Sequence, residues 1–228
     1  RAATRRLRAI DATCPFVSKV HAEVRRFAAQ GACVVCIGHR RHEEVIGVAG
    51  EAPGQVRIVE SAAEAEALAV PPDVPVAVVT QTTLGGEQVD AVMAVLRRRF
   101  PALRLPAATD VCYATRNRQQ AVKALAGRCA RVLVLGSANS SNSQRLVETA
   151  RAAGAEAELV SALEQLDGLG LEAACGVGLT SGASTPESFL DAVVARLRER
   201  YGFPAPEMLA AVEEDSLVFR LPALDAGG

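Results

Sequence analysis

Short apolar runs rich in β-branched residues alternate along this chain with longer stretches whose apolar residues recur at i, i+3, i+4 and i+7. The runs "ACVVCIGH", "QVRIVES", "VPVAVVTQ", "ARVLVLGS", "AEAELVSA" and "ACGVGLTS" read as strands. "PFVSKVHAEVRRFAAQG", "GGEQVDAVMAVLRRRF", "RNRQQAVKALAGR", "SNSQRLVETARAAG" and "TPESFLDAVVARLRERYG" read as one-sided helices. Strands alternating with helices of this length predict parallel sheets covered on both faces, an α/β class.

The pattern repeats. Cys14 and Cys112 are 98 residues apart, as are Gly38-His39 and Gly136-Ser137; Thr80 and Thr180 are 100 apart, and "LRRRF" precedes "LRERY" by 101. The chain is therefore read as two copies of one unit: cysteine loop, helix, strand ending in a polar loop, helix, strand, helix, strand ending in a second polar loop, helix. The first repeat is set at residues 11–105 and the second at 106–201, with 202–228 a C-terminal tail. The prolines of "FPALRLPAATD" mark the join.

Ligands of parallel α/β units sit at the carboxyl ends of the strands. The polar loops fall there: "GHRRHEEV" and "TQTTLGG" in one copy, "GSANSSNSQ" and "TSGASTPE" in the other. Four loops of hydroxyl, amide and imidazole groups at equivalent corners predict one shared polar site.

Composition narrows the partners. With a net charge of −1 and basic residues scattered over helices, neither nucleic acid nor an anionic membrane is an expected partner. No apolar run approaches the ~18 residues of a bilayer span, and "RAATRRLRAI" lacks a signal-peptide core. A soluble cytoplasmic protein is expected, and the chain opening at Arg1 inside a basic helix end reads as a segment of something longer.

In a reducing compartment the six cysteines are free thiols or metal ligands rather than disulfides. "CVVCIGHRRH" imitates a zinc motif, but Cys33 and Cys36 lie three apart in a strand and so point to opposite faces. These two, with Cys129 and Cys175 at strand starts, are read as core residues. Cys14 and Cys112 instead precede helices, where the dipole favours thiolate, at symmetry-related corners suited to a metal or cluster. A cluster takes three or four thiolates, and the repeat supplies one per copy. The simplest completion is a third unit upstream of Arg1, whose cysteine would join the others at a pseudo-threefold centre and leave one iron open.

Three loops carry further chemistry. The run of Ser and Asn in "GSANSSNSQRL" exceeds what a helix cap needs and suits an anion at a helix N-terminus. In "SGASTPE", Thr185 is the expected N-cap and Pro186 the first helical residue, leaving Ser184 one residue outside the cap, available to a ligand. "GHRRHEEV" offers His39, His42, Glu43 and Glu44, and a buried Glu beside a His is a proton donor usable near neutral pH.

"DATCP", "GHxxHxEV", "TQTTL", "CYATxNRQ", "GSxNSSNS" and "GAS" followed by Pro stand in an order and spacing that closely resembles the 4-hydroxy-3-methylbut-2-enyl diphosphate reductase (LytB/IspH) family, from Asp11 to about Tyr201. The resemblance implies a trefoil of three α/β units around a [4Fe-4S] cluster, the first unit being absent here and the third cysteine ligand lying upstream of Arg1. It implies Cys14 and Cys112 as cluster ligands, Glu44 as the acid that protonates the departing hydroxyl, and Thr82 as its hydrogen-bonding neighbour at the substrate. It implies that His42, Ser140, Ser141, Asn142 and Ser184 hold the substrate diphosphate. The implied reaction is a two-electron reductive dehydroxylation of an allylic diphosphate to isopentenyl and dimethylallyl diphosphate in the non-mevalonate pathway, with ferredoxin or flavodoxin as electron donor.

Where the family has Gly-His-Pro-Glu, this chain has Arg41, His42, Glu43 and Glu44, an extra cation and an extra acid beside the proton donor. Two rival readings stand beside the enzyme. One is a diphosphate-binding fragment without a stable cluster or turnover; the other is a redox sensor or scaffold, which has no need of a diphosphate cradle. A Rossmann dehydrogenase is disfavoured because no G-x-G-x-x-G follows a strand.

Overall fold

A computed structural model describes residues 13–84, 86–107, 112–171 and 176–209. All six expected strands form: β1 (Cys33–Ile37), β2 (Val56–Val59), β3 (Val76–Thr80), β4 (Arg131–Leu135), β5 (Glu156–Val160) and β6 (Gly178–Ser181). Helices α1 (Pro15–Ala29), α2 (Glu43–Glu51), α3 (Ala62–Ala67), α4 (Gly86–Arg99), α5 (Tyr113–Ala126), α6 (Ser141–Ala152) and α7 (Glu187–Tyr201) alternate with them. The described residues fall into two compact units, one holding 13–82 and 88–107, the other 112–209 with a short stretch after Thr82.

In the first unit the parallel order is β2-β1-β3, and in the second it is β5-β4-β6. Each unit thus starts at its central strand, adds one neighbour, and returns to the other side. The register equates Ile37 with Val59 and Thr80, and Leu135 with Val160 and Ser181. The partner of Thr80 in the repeat is therefore Ser181 rather than the expected Thr180. The later spacing becomes 101, matching "LRRRF" and "LRERY", because the second copy has three more residues between its first and third strands.

Strand alternation divides each core. In the first unit Val34 and Cys36 face Val20, Val24 and Phe27 of α1 and Val45 and Val48 of α2. In the second, Val132 and Val134 face Val122, Leu146 and Val147, while Leu133 and Leu135 face Leu166, Val193 and Leu197. Burying each such Val or Leu contributes ~1.5 to 3 kcal/mol, which anchors both sheets.

Three local readings are revised. The helix after "GHRRH" begins at Glu43, taking in the last three residues of the stretch read as loop, because His42 caps it. The element between β5 and β6 is a 3-10 helix, Leu163–Gly168; the glycines that follow, Gly170 among them at φ 60°, stop it early. Pro186, not Thr185, is the N-cap of α7. The Thr185 hydroxyl is already committed, donating to the Leu135 carbonyl at 3.0 Å across the sheet end.

Candidate functional site

In the first unit the polar corner is built where β1 and β3 end. Gln81 N–H donates to the Ile37 carbonyl at 2.8 Å, extending the ladder by one residue, and its side-chain oxygen accepts from His39 N–H at 3.0 Å. Gly38 lies against this residue and α2: a Cβ there would meet Val45 Cγ2 at 2.6 Å and Gln81 Cβ at 3.0 Å. The close approach of α2 to the strand ends therefore requires a glycine.

That approach delivers Glu44. His42 caps α2 through Nδ1, which accepts from Glu44 N–H at 3.2 Å, so Nε2 is the ring nitrogen that can donate. Glu44 Oε1 accepts from Thr82 N–H at 2.8 Å and Oε2 from Thr82 Oγ1 at 3.0 Å. Burial pushes the Glu44 carboxyl above its usual range; the two Thr82 bonds and the nearby His42 and His21 pull back against it, and burial wins. The sequence pairing of Glu44 with Thr82 is thus realised as a two-point contact.

The neighbouring groups of the loop go elsewhere. His39 Nδ1 lies 3.8 Å from Glu60, and Arg40 spans Glu60 and Glu64. Arg41 and Glu43 are exposed. Glu43 diverges from Glu44 because it is the first residue of α2, where consecutive residues point about 100° apart.

In the second unit the equivalent corner lies at the ends of β4 and β6. Ser140 caps α6, its Oγ accepting from Ser143 N–H at 3.3 Å and from Ser143 Oγ at 3.1 Å. Part of the polar run serves the loop itself: Ser137 donates to Asn139, and Gln144 to the Ala138 carbonyl. Asn142 does not. It is 9% exposed, and its amide oxygen and nitrogen are both buried without a partner. An unsatisfied buried amide costs ~1 to 3 kcal/mol, and its place in the first turn of α6 suits an anionic ligand that would satisfy it. Ser141 is half-buried beside it, and Ser184 is exposed on the loop before α7.

Cys14 and Cys112 occupy the same local structure in their two units. Each is the N-cap of a helix, with φ, ψ of −53°, 131° and −60°, 135°, and neither thiol makes a capping bond. Each backbone carbonyl accepts a 3.0 Å bond, from Ser18 N–H and Arg116 N–H. Each unit therefore presents one uncommitted sulfur at a helix N-terminus, the arrangement one thiolate ligand requires. Among the described residues no three His, Cys, Asp or Glu gather as a metal site. Cys33 and Cys36 both lie on β1, and Cys36 is buried. Cys129 is half-buried two residues before β4. Cys175 is outside the described residues.

Sequence reasoning passed over Gln81 and Ser143, which are each 1% exposed. A large polar residue directly after the run Val76–Thr80, and a fourth Ser in a run that needed one cap, were the available signals. Among the described residues no helix is long and apolar enough to cross a membrane.

The family model described as "LytB protein" matches residues 1–198. The chain is 50% identical over 219 residues to a 4-hydroxy-3-methylbut-2-enyl diphosphate reductase of Acidothermus cellulolyticus, covering 96% of this chain and 64% of that protein. It is 46% identical over 227 residues to the protein of that name from Phenylobacterium zucineum, covering 99% and 72%. Among solved structures, the E-1-hydroxy-2-methyl-but-2-enyl-4-diphosphate reductase of Plasmodium falciparum superposes with a TM-score of 0.90 at 33% identity, over 97% of this chain and 70% of that one. The chain spans about two thirds of the length of the curated relatives it matches. Matched over most of its length in sequence and in fold, the chain belongs to the LytB family.

Proposed function

We propose that these residues form two α/β units of a reductase that converts 4-hydroxy-3-methylbut-2-enyl diphosphate into isopentenyl and dimethylallyl diphosphate. The observation that carries this reading is the state of Glu44, a carboxyl kept above its ordinary range by burial while both oxygens are oriented by Thr82. Such a group holds its proton more tightly than an exposed carboxyl does and can hand it to a leaving hydroxyl, which then departs as water. The overall change takes two electrons and two protons: the carbon–oxygen bond breaks, a carbon–hydrogen bond forms on the allyl group, and the diphosphate is retained.

Binding belongs to the other loops in this reading. Ser140, Ser141 and Asn142 hold diphosphate at the start of α6, aided by Ser184, and His42 gives a further donor through Nε2. The unpartnered amide of Asn142 supports this assignment. Cys14 and Cys112 are proposed as two ligands of a [4Fe-4S] cluster whose third thiolate lies outside these 228 residues. That cluster, when bound, supplies the two electrons, received from a ferredoxin or flavodoxin.

The test is product formation. Purified without oxygen and given a reduced viologen as electron source, the protein carrying these units should release both isomers from the synthetic allylic diphosphate. A preparation with full iron content and no product would refute the reductase. A second reading, diphosphate binding without turnover by these residues alone, is favoured where only two thiols are supplied. It predicts that the isolated chain binds pyrophosphate and little iron.

A further inference from the structure

Ser143 is nearly fully buried, yet it carries a hydroxyl where the equivalent position of the first unit carries Val45. The two residues are 98 apart, the spacing of Cys14 and Cys112, and they sit in the same recess. Val45 packs on Gly38, and Ser143 packs on Gly136 and Gly182, where a Cβ at either glycine would collide with Ser143 Oγ. An aliphatic side chain therefore suffices for packing at this corner. The hydroxyl needs another explanation.

Its bonds supply one. Ser143 N–H and Ser143 Oγ both donate to Ser140 Oγ, at 3.3 and 3.1 Å. A hydroxyl oxygen has two acceptor sites and one proton. With both acceptor sites filled by Ser143, the Ser140 hydroxyl can only donate. An anion needs donors, and a freely rotating hydroxyl would otherwise spend part of its time presenting a lone pair. The adjacent Asn142, buried with both amide atoms unpartnered, independently marks this turn as a place where a ligand completes the bonding.

We propose that Ser143 is a positioning residue that makes the Ser140 hydroxyl an obligate donor to the bound diphosphate, and that Gly136 and Gly182 exist to admit it. This rests on the reading of the α6 corner as the diphosphate site. Ser143 touches no substrate in this scheme; it acts through Ser140 alone.

The two serines should then be energetically coupled. Inorganic pyrophosphate is titrated calorimetrically into the full chain and into Ser140→Ala, Ser143→Ala and the double variant, with thermal melts to confirm folding. Ser140→Ala should weaken binding by about ten- to a hundredfold, the range for one hydrogen bond to a charged group. Ser143→Ala should weaken it by roughly three- to tenfold, and the double variant should bind no worse than Ser140→Ala. In turnover, Ser143→Ala should raise KM and leave kcat unchanged. Native affinity in Ser143→Ala, or losses that multiply in the double variant, would overturn the coupling while leaving the diphosphate site intact. No loss in Ser140→Ala would remove the diphosphate reading itself. If Ser143→Ala does not fold, Ser143→Cys, which fills the recess but donates weakly, takes its place in the same cycle.

Discussion

The start of α2 and the start of α6 are the same corner furnished with different side chains. His42 and Ser140 cap their helices, and Glu44 and Asn142 occupy the second helical position of each, 98 residues apart. Beneath them Gly38 and Gly136 each donate their N–H to the edge strand, at 3.1 Å to Val59 and 3.0 Å to Val160. The difference lies in how the second residue is satisfied. Glu44 has both oxygens engaged by Thr82 of its own unit, whereas the amide of Asn142 has neither atom engaged. Under the proposed function, the group that must hold a proton at a set affinity is held from within its unit, and the group that binds is left for its ligand to complete.

Several substitutions would break or sharpen this contrast. The largest effect is expected for Glu44→Gln, which should lower turnover by ~10² to 10⁴-fold with substrate affinity and iron content retained. Glu43→Gln, exposed one residue earlier, should stay near native; rates at equal iron occupancy decide between them. A carboxyl raised by burial costs stability that is absent below the ordinary carboxylate range and grows as pH climbs through its raised value. Glu44→Gln should therefore melt no lower than the native chain at neutral pH.

Asn142→Ala should act in the opposite way, weakening diphosphate binding by ~1.5 to 3 kcal/mol, the worth of a bond to a charged group, with little change in kcat. If calorimetry showed unchanged affinity, the open amide would have no ligand and the contrast would fail. Next in size are the glycines beneath the helices. Gly38→Ala forces Val45 or Gln81 aside, and Gly182→Ala forces Ser143 aside, each at a cost of about 1 to 3 kcal/mol in denaturant unfolding. The first should also disturb Glu44 and so lower kcat; the second should act on KM. A reversed pattern would show that the corners do not divide the work.

The smallest expected effect is that of Thr82→Val, which removes one bond to Glu44 worth ~0.5 to 1.5 kcal/mol and keeps the other through Thr82 N–H. The hydroxyl bond favours the charged carboxylate, so its loss should raise the Glu44 pKa further. Activity that needs the protonated acid should then persist to higher pH. A kcat profile whose alkaline limb moves to lower pH would contradict this sign.

Much of this was written in local pattern. The alternation of β-branched runs with one-sided helices determined both three-stranded parallel sheets, and the 98-residue spacing determined that Cys14 and Cys112 share a cap position, since periodicity and loop composition are properties of neighbouring residues. The motifs that carry the family resemblance likewise placed Glu44, Thr82 and Asn142. What neighbouring residues could not decide was how separate loops meet. The two-point hold of Thr82 on Glu44, the diversion of His39 to Glu60 and of Thr185 to Leu135, and the recess that Gly136 and Gly182 leave for Ser143 all arise where strands distant in sequence end side by side. A hydrogen bond depends on distance and direction set by the packed sheet, and only the tertiary structure supplies those.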